Sequence, residues 1–392
     1  MRKKVNIEYI LLLTMFQAIG SFIYGFGAFT LQSKGFSLTT AGIIMGLANG
    51  SSILIATIIS DFADTNKKFN KFEVAIIMSV ICTTLGICIL ISVKADIFAA
   101  LSYILFLGIY SSMEPLFNVF PHLFNDNNIR IEYGTARAGG SFGYAVMCYV
   151  FGVLSETYSY KILVACGIGF ASSLVVDCIL LNRNYKQIKI VEESNEKEET
   201  ISFATFFANH KVFVLQCLAI AGIFFAFGTI DNFLLVVMEN VGGTSSDVGL
   251  NYFIKAMCEI PAVLFFGKIE ERFNLISILR FSCIFFPIKS FFIYIASSVN
   301  LIHFAQIFQG LSFALLLPGM VSYISQNMDK KEAVRGQALY TTSLTIGNTL
   351  ATLVSGYISD AYGANALCLV SFVLSVIFSI IFFVIIGKKE KN

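Results

Sequence analysis

Twelve long apolar runs succeed one another along this chain, and they constrain its fold more than any other feature. A bilayer core takes about 20 apolar residues per helix. Runs of that length fall near 7–31, 39–62, 72–93, 97–124, 134–157, 160–182, 211–238, 247–270, 274–296, 300–326, 334–360 and 364–387. No alternation of apolar and polar residues extends far enough for a barrel. The chain has 392 residues, of which 56% are hydrophobic and 13% charged. Its mean hydropathy is +0.77. A soluble domain cannot bury that much apolar surface, so the excess faces lipid. We expect an all-α membrane protein with about twelve spanning helices.

Charge fixes the expected orientation. Lysine and arginine gather in alternate loops, at Arg2, Lys3 and Lys4, at Lys67, Lys68 and Lys71, at Arg130, at Arg183 to Lys197, at Lys268 and Arg272, at Lys330, Lys331 and Arg335, and at Lys388 to Lys391. The intervening loops carry only Lys34, Lys94 and Lys161. The positive-inside rule then puts both termini in the cytoplasm of a bacterial inner membrane. The opening MRKKVNIEYILLL lacks a small-residue cleavage site, so it reads as a retained first helix. The net charge of +2 does not suggest nucleic acid as a partner. The nine cysteines are scattered, and neither they nor His122, His210 and His303 have metal-ligand spacing. No metal or cofactor is expected.

The one long polar stretch, RNYKQIKIVEESNEKEETIS from residue 183, divides the chain almost in half. It gives an expected organisation of 1–182, a cytoplasmic linker at 183–210, and 211–392. The halves repeat. SDFADTNKK from Ser60 answers GKIEERFN from Gly267, an offset of 207 residues. GVLSETY from Gly152 answers GYISDAY from Gly356, an offset of 204. Gly134-Thr-Ala136 answers Gly336-Gln-Ala338, an offset of 202. Internal repeats of this kind mark transporters whose halves rock about a solute site near the midplane.

Small residues at four-residue spacing mark close helix approaches: Gly42, Gly46 and Gly50, then Gly139 and Gly143, then Ser343, Gly347, Ala351, Ser355 and Ser359. Static packing and a moving interface both fit such stripes. All five prolines (Pro115, Pro121, Pro261, Pro287, Pro318) lie in expected spans, where each removes a backbone hydrogen bond.

Ionisable groups at membrane depth cost several kcal/mol unless paired or hydrated. Here they are Glu114, Arg137, Asp177, Asp231, Lys255, Glu259, Arg280 and Lys289. Asp177 and Arg280 lie near helix ends, where snorkelling is expected. Lys255 and Glu259 are four apart and form an expected intrahelical pair. Arg137 needs a partner from another helix. Asp231 is the isolated carboxylate best placed for protonation. Gln17, Tyr24 and Asn49 add polar groups to the first two helices.

The stretch IEYGTARAGGSFGYA (131–145) resembles the helix-five signature of the galactoside and oligosaccharide/proton symporters of the major facilitator superfamily. SDFADTNKK and GKIEERF resemble that superfamily's loop motif and its repeat, with Ser60 for the usual glycine and Thr65 for the usual arginine. The resemblance implies a major facilitator fold of two pseudo-symmetric six-helix bundles. It implies a conformational motif at Asp64, Lys67, Gly267, Glu271 and Arg272. It implies solute binding by Arg137, by Glu259 and by Tyr144, which stands where the permeases have a stacking tryptophan. Asn118 stands where those permeases have a carboxylate paired with the arginine, and Glu114 is one turn earlier. Tyr24 joins the implied binding set. Glu259, Asp231 and Glu114 are the implied ion-coupling residues. Lys289 falls near the family's helix-nine arginine. Gln309 and Ser312 replace a histidine and a glutamate of proton transfer, and Leu344 replaces the lysine that partners the helix-seven acid. The helix-five proline of proton–drug antiporters is absent.

The expected function is cation-coupled uptake of a sugar or related polyhydroxylated solute by a monomer, with a proton or sodium as the partner ion. Nucleoside uptake and export of amphipathic compounds are the alternatives. A non-transporting receptor has only the short linker as an output surface. An enzyme is not expected, because no nucleophile–base set or phosphate-cradling loop is visible.

Overall fold

A computed structural model describes residues 2–65, 68–92, 94–125, 127, 129–188 and 203–388. Every backbone group in lipid must find its partner within the protein, which leaves helices as the solution for long apolar runs. In the first half the helices are α1 (Arg2–Gly20), α2 (Leu38–Thr65), α3 (Lys71–Ile91), α4 (Ile97–Asn125), α5 (Tyr133–Thr157) and α6 (Lys161–Lys186). In the second half they are α7 (Lys211–Asp231), α8 (Ser245–Leu264), α9 (Leu275–Tyr294) and α10, which runs in pieces from Val299 to Asn327. The remaining element, Lys330–Ile385, has 56 residues and is interrupted at Gly363, whose φ of +77° no helix contains. At 1.5 Å per residue a single helix of that length is nearly three times as long as a bilayer core needs. It is therefore two spans, α11 before Gly363 and α12 after it. This is the all-α major facilitator architecture. A bilayer also explains outward apolar side chains such as Leu54 and Ile58, each 68% exposed.

The chain forms two compact units, Met1–Ser194 with Val248–Phe253, and Asn195–Asp247 with Ile254–Asn392. Residues 189–202 of the stretch expected as a linker lie outside the described residues. Of it, Arg183 to Lys186 belong to α6, and Phe203–Asn209 is a short helix preceding α7.

Within the first unit, α3 opens on a capping box: Asn70 Oδ1 accepts from the Glu73 amide at 2.9 Å, and Glu73 Oε2 accepts from the Asn70 amide at 3.1 Å. After Gly20, α1 widens into a π turn at Ser21–Gly25 before continuing as Gly27–Ser33. Two buried tyrosines of α4 donate to nearby carbonyls, Tyr110 to Phe16 at 3.0 Å and Tyr103 to Ile23 at 2.8 Å. Lys34 ends this helix and is buried. Its ammonium donates to the carbonyls of Ile89 and Ser92 and lies 5.0 Å over the Tyr160 ring. Burial pushes the Lys34 pKa below the usual lysine value, against Asp96, which raises it.

The glycines of α5 let α1 come close. A Cβ on Gly143 would lie 2.7 Å from Thr14 Cγ2 and 3.2 Å from the Thr14 carbonyl oxygen. One on Gly140 would meet Gln17 Cγ at 3.1 Å. This stripe packs α1 against α5 inside one unit. Gly143→Val is therefore expected to cost about 1–3 kcal/mol by forcing α1 away from α5. A thermal melt of the purified variant checks this, and an unchanged midpoint would refute the packing account.

The second unit packs around a core that includes Phe224, Leu279, Phe286, Leu316 and Met320. On α11, Gly347 faces the Ala221 carbonyl of α7, where a Cβ has no room, and Ser343, Ala351, Ser355 and Ser359 are buried. The breaks in this unit set up its polar interior. The run beginning with α7 stops at Asp231 and resumes as Leu234–Glu239. Asn232 holds the break to α11, donating to Asn348 Oδ1 at 3.0 Å and Thr352 Oγ1 at 2.7 Å. Helix α8 bends by 50° where it meets Phe266–Arg272, four residues past Pro261. Helix α10 is interrupted at Gln306 and again at Ser312, whose φ is −101° and ψ −87°. By contrast, α4 runs on as one element through Pro115 and Pro121.

Candidate functional site

Among the described residues, membrane-depth charges cluster in both units. In the first, Arg137 Nη1 donates to Glu114 Oε1 at 2.8 Å. Close packing of α1 on α5 sets Gln17 beside them. Phe16, Gln17, Glu114, Asn118, Arg137 and Gly140 line a pocket with about 210 Å³ of empty volume. The ion-pair side chains keep 50% and 42% of their surface exposed. A pair exposed to that degree contributes at most about 1 kcal/mol to stability. Its charges are available to something other than the fold.

Glu114 is thus the carboxylate that meets the helix-five arginine. Asn118 instead accepts from the Tyr133 hydroxyl at 3.1 Å. Tyr24 sits on the π turn and shares a 2.5 Å hydrogen bond with Ser111. Its ring meets Tyr110 edge-on, with centroids 6.0 Å apart. Tyr144 is half-buried and meets Tyr252 edge-on at 6.5 Å, both rings belonging to the first unit.

In the second unit the expected intrahelical pair does not form. Lys255 reaches across to α7, with its Nζ 2.8 Å from both carboxylate oxygens of Asp231. So Asp231 is not isolated, and its lysine comes from α8 rather than α11, where the resemblance left Leu344. Glu259 Oε1 accepts from Gln309 Nε2 at 2.8 Å. The other end of that amide, Gln309 Oε1, accepts from buried Lys289 Nζ at 2.6 Å. Gln309 therefore links Lys289 to Glu259. Phe227 lies against both lysines, with Lys255 Nζ 4.7 Å and Lys289 Nζ 5.0 Å from its ring centroid. Cations at that range are attracted to the ring face, so Phe227 helps two like charges share one apolar interior. It stacks in turn on Phe313. Neither Phe227 nor the bridging role of Gln309 was foreseen from sequence; forty phenylalanines gave no reason to single one out.

Asp177 is buried, 8% exposed, rather than snorkelling. Arg280 folds back onto the end of α12, donating to the Ile386 carbonyl at 3.2 Å. In the loop motif, Asn66 and Lys67 and the side chain of Asp64 lie outside the described residues. Gly267, Glu271 and Arg272 sit on the bent piece after α8. There the acid that grips α10 is the unforeseen Glu270, which accepts from Gln326 Nε2 at 2.8 Å and Ser322 Oγ at 3.2 Å.

A family model described as MFS_1 like family matches residues 7–370. The uncharacterized transporter YwbF of Bacillus subtilis (strain 168) is 23% identical over 267 residues, which is 67% of this chain and 64% of that protein. The quinolone resistance protein NorA of Staphylococcus aureus (strain MRSA252) is 22% identical over 175 residues, 43% of this chain and 45% of NorA. The chain thus spans less than two thirds of the length of these curated relatives. Among solved structures, a variant of the nucleoside transporter NupG aligns with a TM-score of 0.80 at 13% identity, over 97% of this chain and 99% of that one. That likeness is one of fold.

Proposed function

The chain belongs to the MFS_1 like family, and on that premise we propose that it is a secondary transporter of a neutral, polyhydroxylated solute, moved together with a cation. Charge balance supports the solute class. Arg137 is met by Glu114, Lys255 by Asp231, and Lys289 reaches Glu259 through Gln309. An ionic solute would upset this compensation in a medium where an unpaired charge is expensive. A sugar or nucleoside upsets nothing, because its hydroxyls both donate and accept. Arg137 supplies donors, Glu114 acceptors, and Asn118 and Gln17 supply amides that do both. Arg137 and Glu114 in their half-exposed pocket are the observation that carries this reading.

The coupling role goes to Glu259. Its hydrogen-bond partner Gln309 is a neutral amide, so the carboxylate can gain a proton without breaking a direct ion pair. Asp231, held by Lys255, is the fixed charge beside it. The reading places the protein in a bacterial inner membrane as a monomer with both termini in the cytoplasm, in line with its alternating lysine and arginine content.

The test is a pH recording in a lightly buffered suspension of energy-depleted cells making the protein, with disaccharides, trisaccharides and nucleosides added in turn. One solute is expected to alkalinise the medium as protons enter with it. A silent panel, with resistance to amphipathic toxic compounds on expression, would replace this reading by export, which the likeness to NorA favours.

A further inference from the structure

The second unit holds a pocket that borders the charge cluster and extends beyond it. It has about 390 Å³ of empty volume, and Phe227, Asp231, Lys289, Ser290, Gln306 and Ser371 are among its lining residues. Two of the helix breaks described above border it: Asp231 is the last residue of α7, and Gln306 caps the first piece of α10. Irregular backbone at membrane depth is tolerated where it lines such a cavity.

Gln306 is 2% exposed, and its side-chain oxygen is buried with no hydrogen-bond partner. A bare buried acceptor is expensive, so native structures nearly always supply a partner. None of the lining donors reaches it. Lys289 donates to Gln309, and Ser371 donates to the Ala226 carbonyl at 2.6 Å. The missing partner must donate to Gln306.

We infer that this pocket is a hydroxyl-binding site in which Gln306 Oε1 accepts from a water molecule or from one hydroxyl of the transported solute. The lining selects this chemistry. A metal cation would meet the Lys289 ammonium, and an anion would meet Asp231 and the Gln306 oxygen. A hydroxyl accepts from Lys289 while donating to Gln306, so it suits both. The solute source rests on the function proposed above, whereas the water source does not.

Two near-isosteric variants, Gln306→Leu and Gln306→Met, remove the acceptor. Their melting midpoints are read by far-ultraviolet circular dichroism, first without solute and then over a panel of disaccharides, trisaccharides and nucleosides. If water occupies the site, both variants melt about 1–4 °C below the parent without any solute. If a solute hydroxyl occupies it, both unliganded midpoints match the parent or rise, and the protective solute is needed at about tenfold or higher concentration.

An acceptor that is simply bare is relieved by an apolar replacement. Raised or unchanged midpoints in both variants, with unchanged protection, therefore overturn the site. Divergence, with Met like the parent and Leu below it, shows a packing effect and also overturns it. A panel that protects nothing sinks the solute reading, and the unliganded melts then decide the site alone.

Discussion

Arg137→Ala is expected to cut solute uptake about 100-fold or more while leaving the amount of protein in the membrane unchanged. The two halves of this expectation have different origins. Uptake falls because the variant loses the donors facing the pocket and leaves Glu114 without its 2.8 Å partner. Once a solute covers the pocket the pair is desolvated, and truncating one member of a buried charge pair costs about 2–5 kcal/mol, with each 1.4 kcal/mol about tenfold. Insertion survives because the pair is half exposed and contributes little to stability. Arg137→Lys keeps the charge but loses the planar fork, so an intermediate loss is expected. The Arg137→Ala, Glu114→Ala double variant removes both charges; it should insert normally and still fail to transport. Radiolabelled uptake against immunoblotted membrane protein separates the quantities. Parental uptake in Arg137→Ala would remove Arg137 from the site.

The spans were legible because lipid asks for one simple thing, a long apolar run, and the runs are long enough to see. Their interruptions were less so. The break after Asp231 and the one at Gln306 contain neither proline nor glycine, so each run reads as continuous. The break in α7 is held by Asn232 bonding to residues more than a hundred positions away. The Arg137–Glu114 pair was half legible. Glu114 lies one turn before Asn118 and so on the same side of α4, but whether it reaches the arginine depends on how closely α4 and α5 lie. The Lys255–Asp231 pair was not legible. Glu259, four residues along the same helix, offered Lys255 a nearer partner by sequence, while the partner it takes is 24 positions away. Local rules weigh only neighbours on one helix; in a bundle, the facing helix competes on equal terms.

Glu259→Gln is expected to abolish concentrative uptake while sparing exchange of solute across the membrane. The geometry makes this substitution a clean mimic of the protonated acid. Glutamine keeps a carbonyl oxygen where Glu259 Oε1 accepts from Gln309 Nε2, so Gln309 keeps its place and its bond from Lys289. What is lost is the ability to release a proton. A carrier fixed in its proton-loaded form can still move loaded solute both ways, but it draws no energy from the membrane potential. One charge moving through 100 mV is worth about 2.3 kcal/mol, or roughly 50-fold accumulation. The accumulation ratio should therefore fall from that order to about 1, while counterflow between preloaded vesicles and labelled solute continues. Gln309→Leu tests the same link from the other side. It removes the amide between Lys289 and Glu259, so Glu259 loses its donor and coupling should weaken with the carboxylate still present. Accumulation that survives in Glu259→Gln would take the coupling role from this residue. If accumulation there still followed the proton gradient, Asp231 would be the carboxylate to examine, because it is the other acid of the cluster and Lys255 holds it at 2.8 Å.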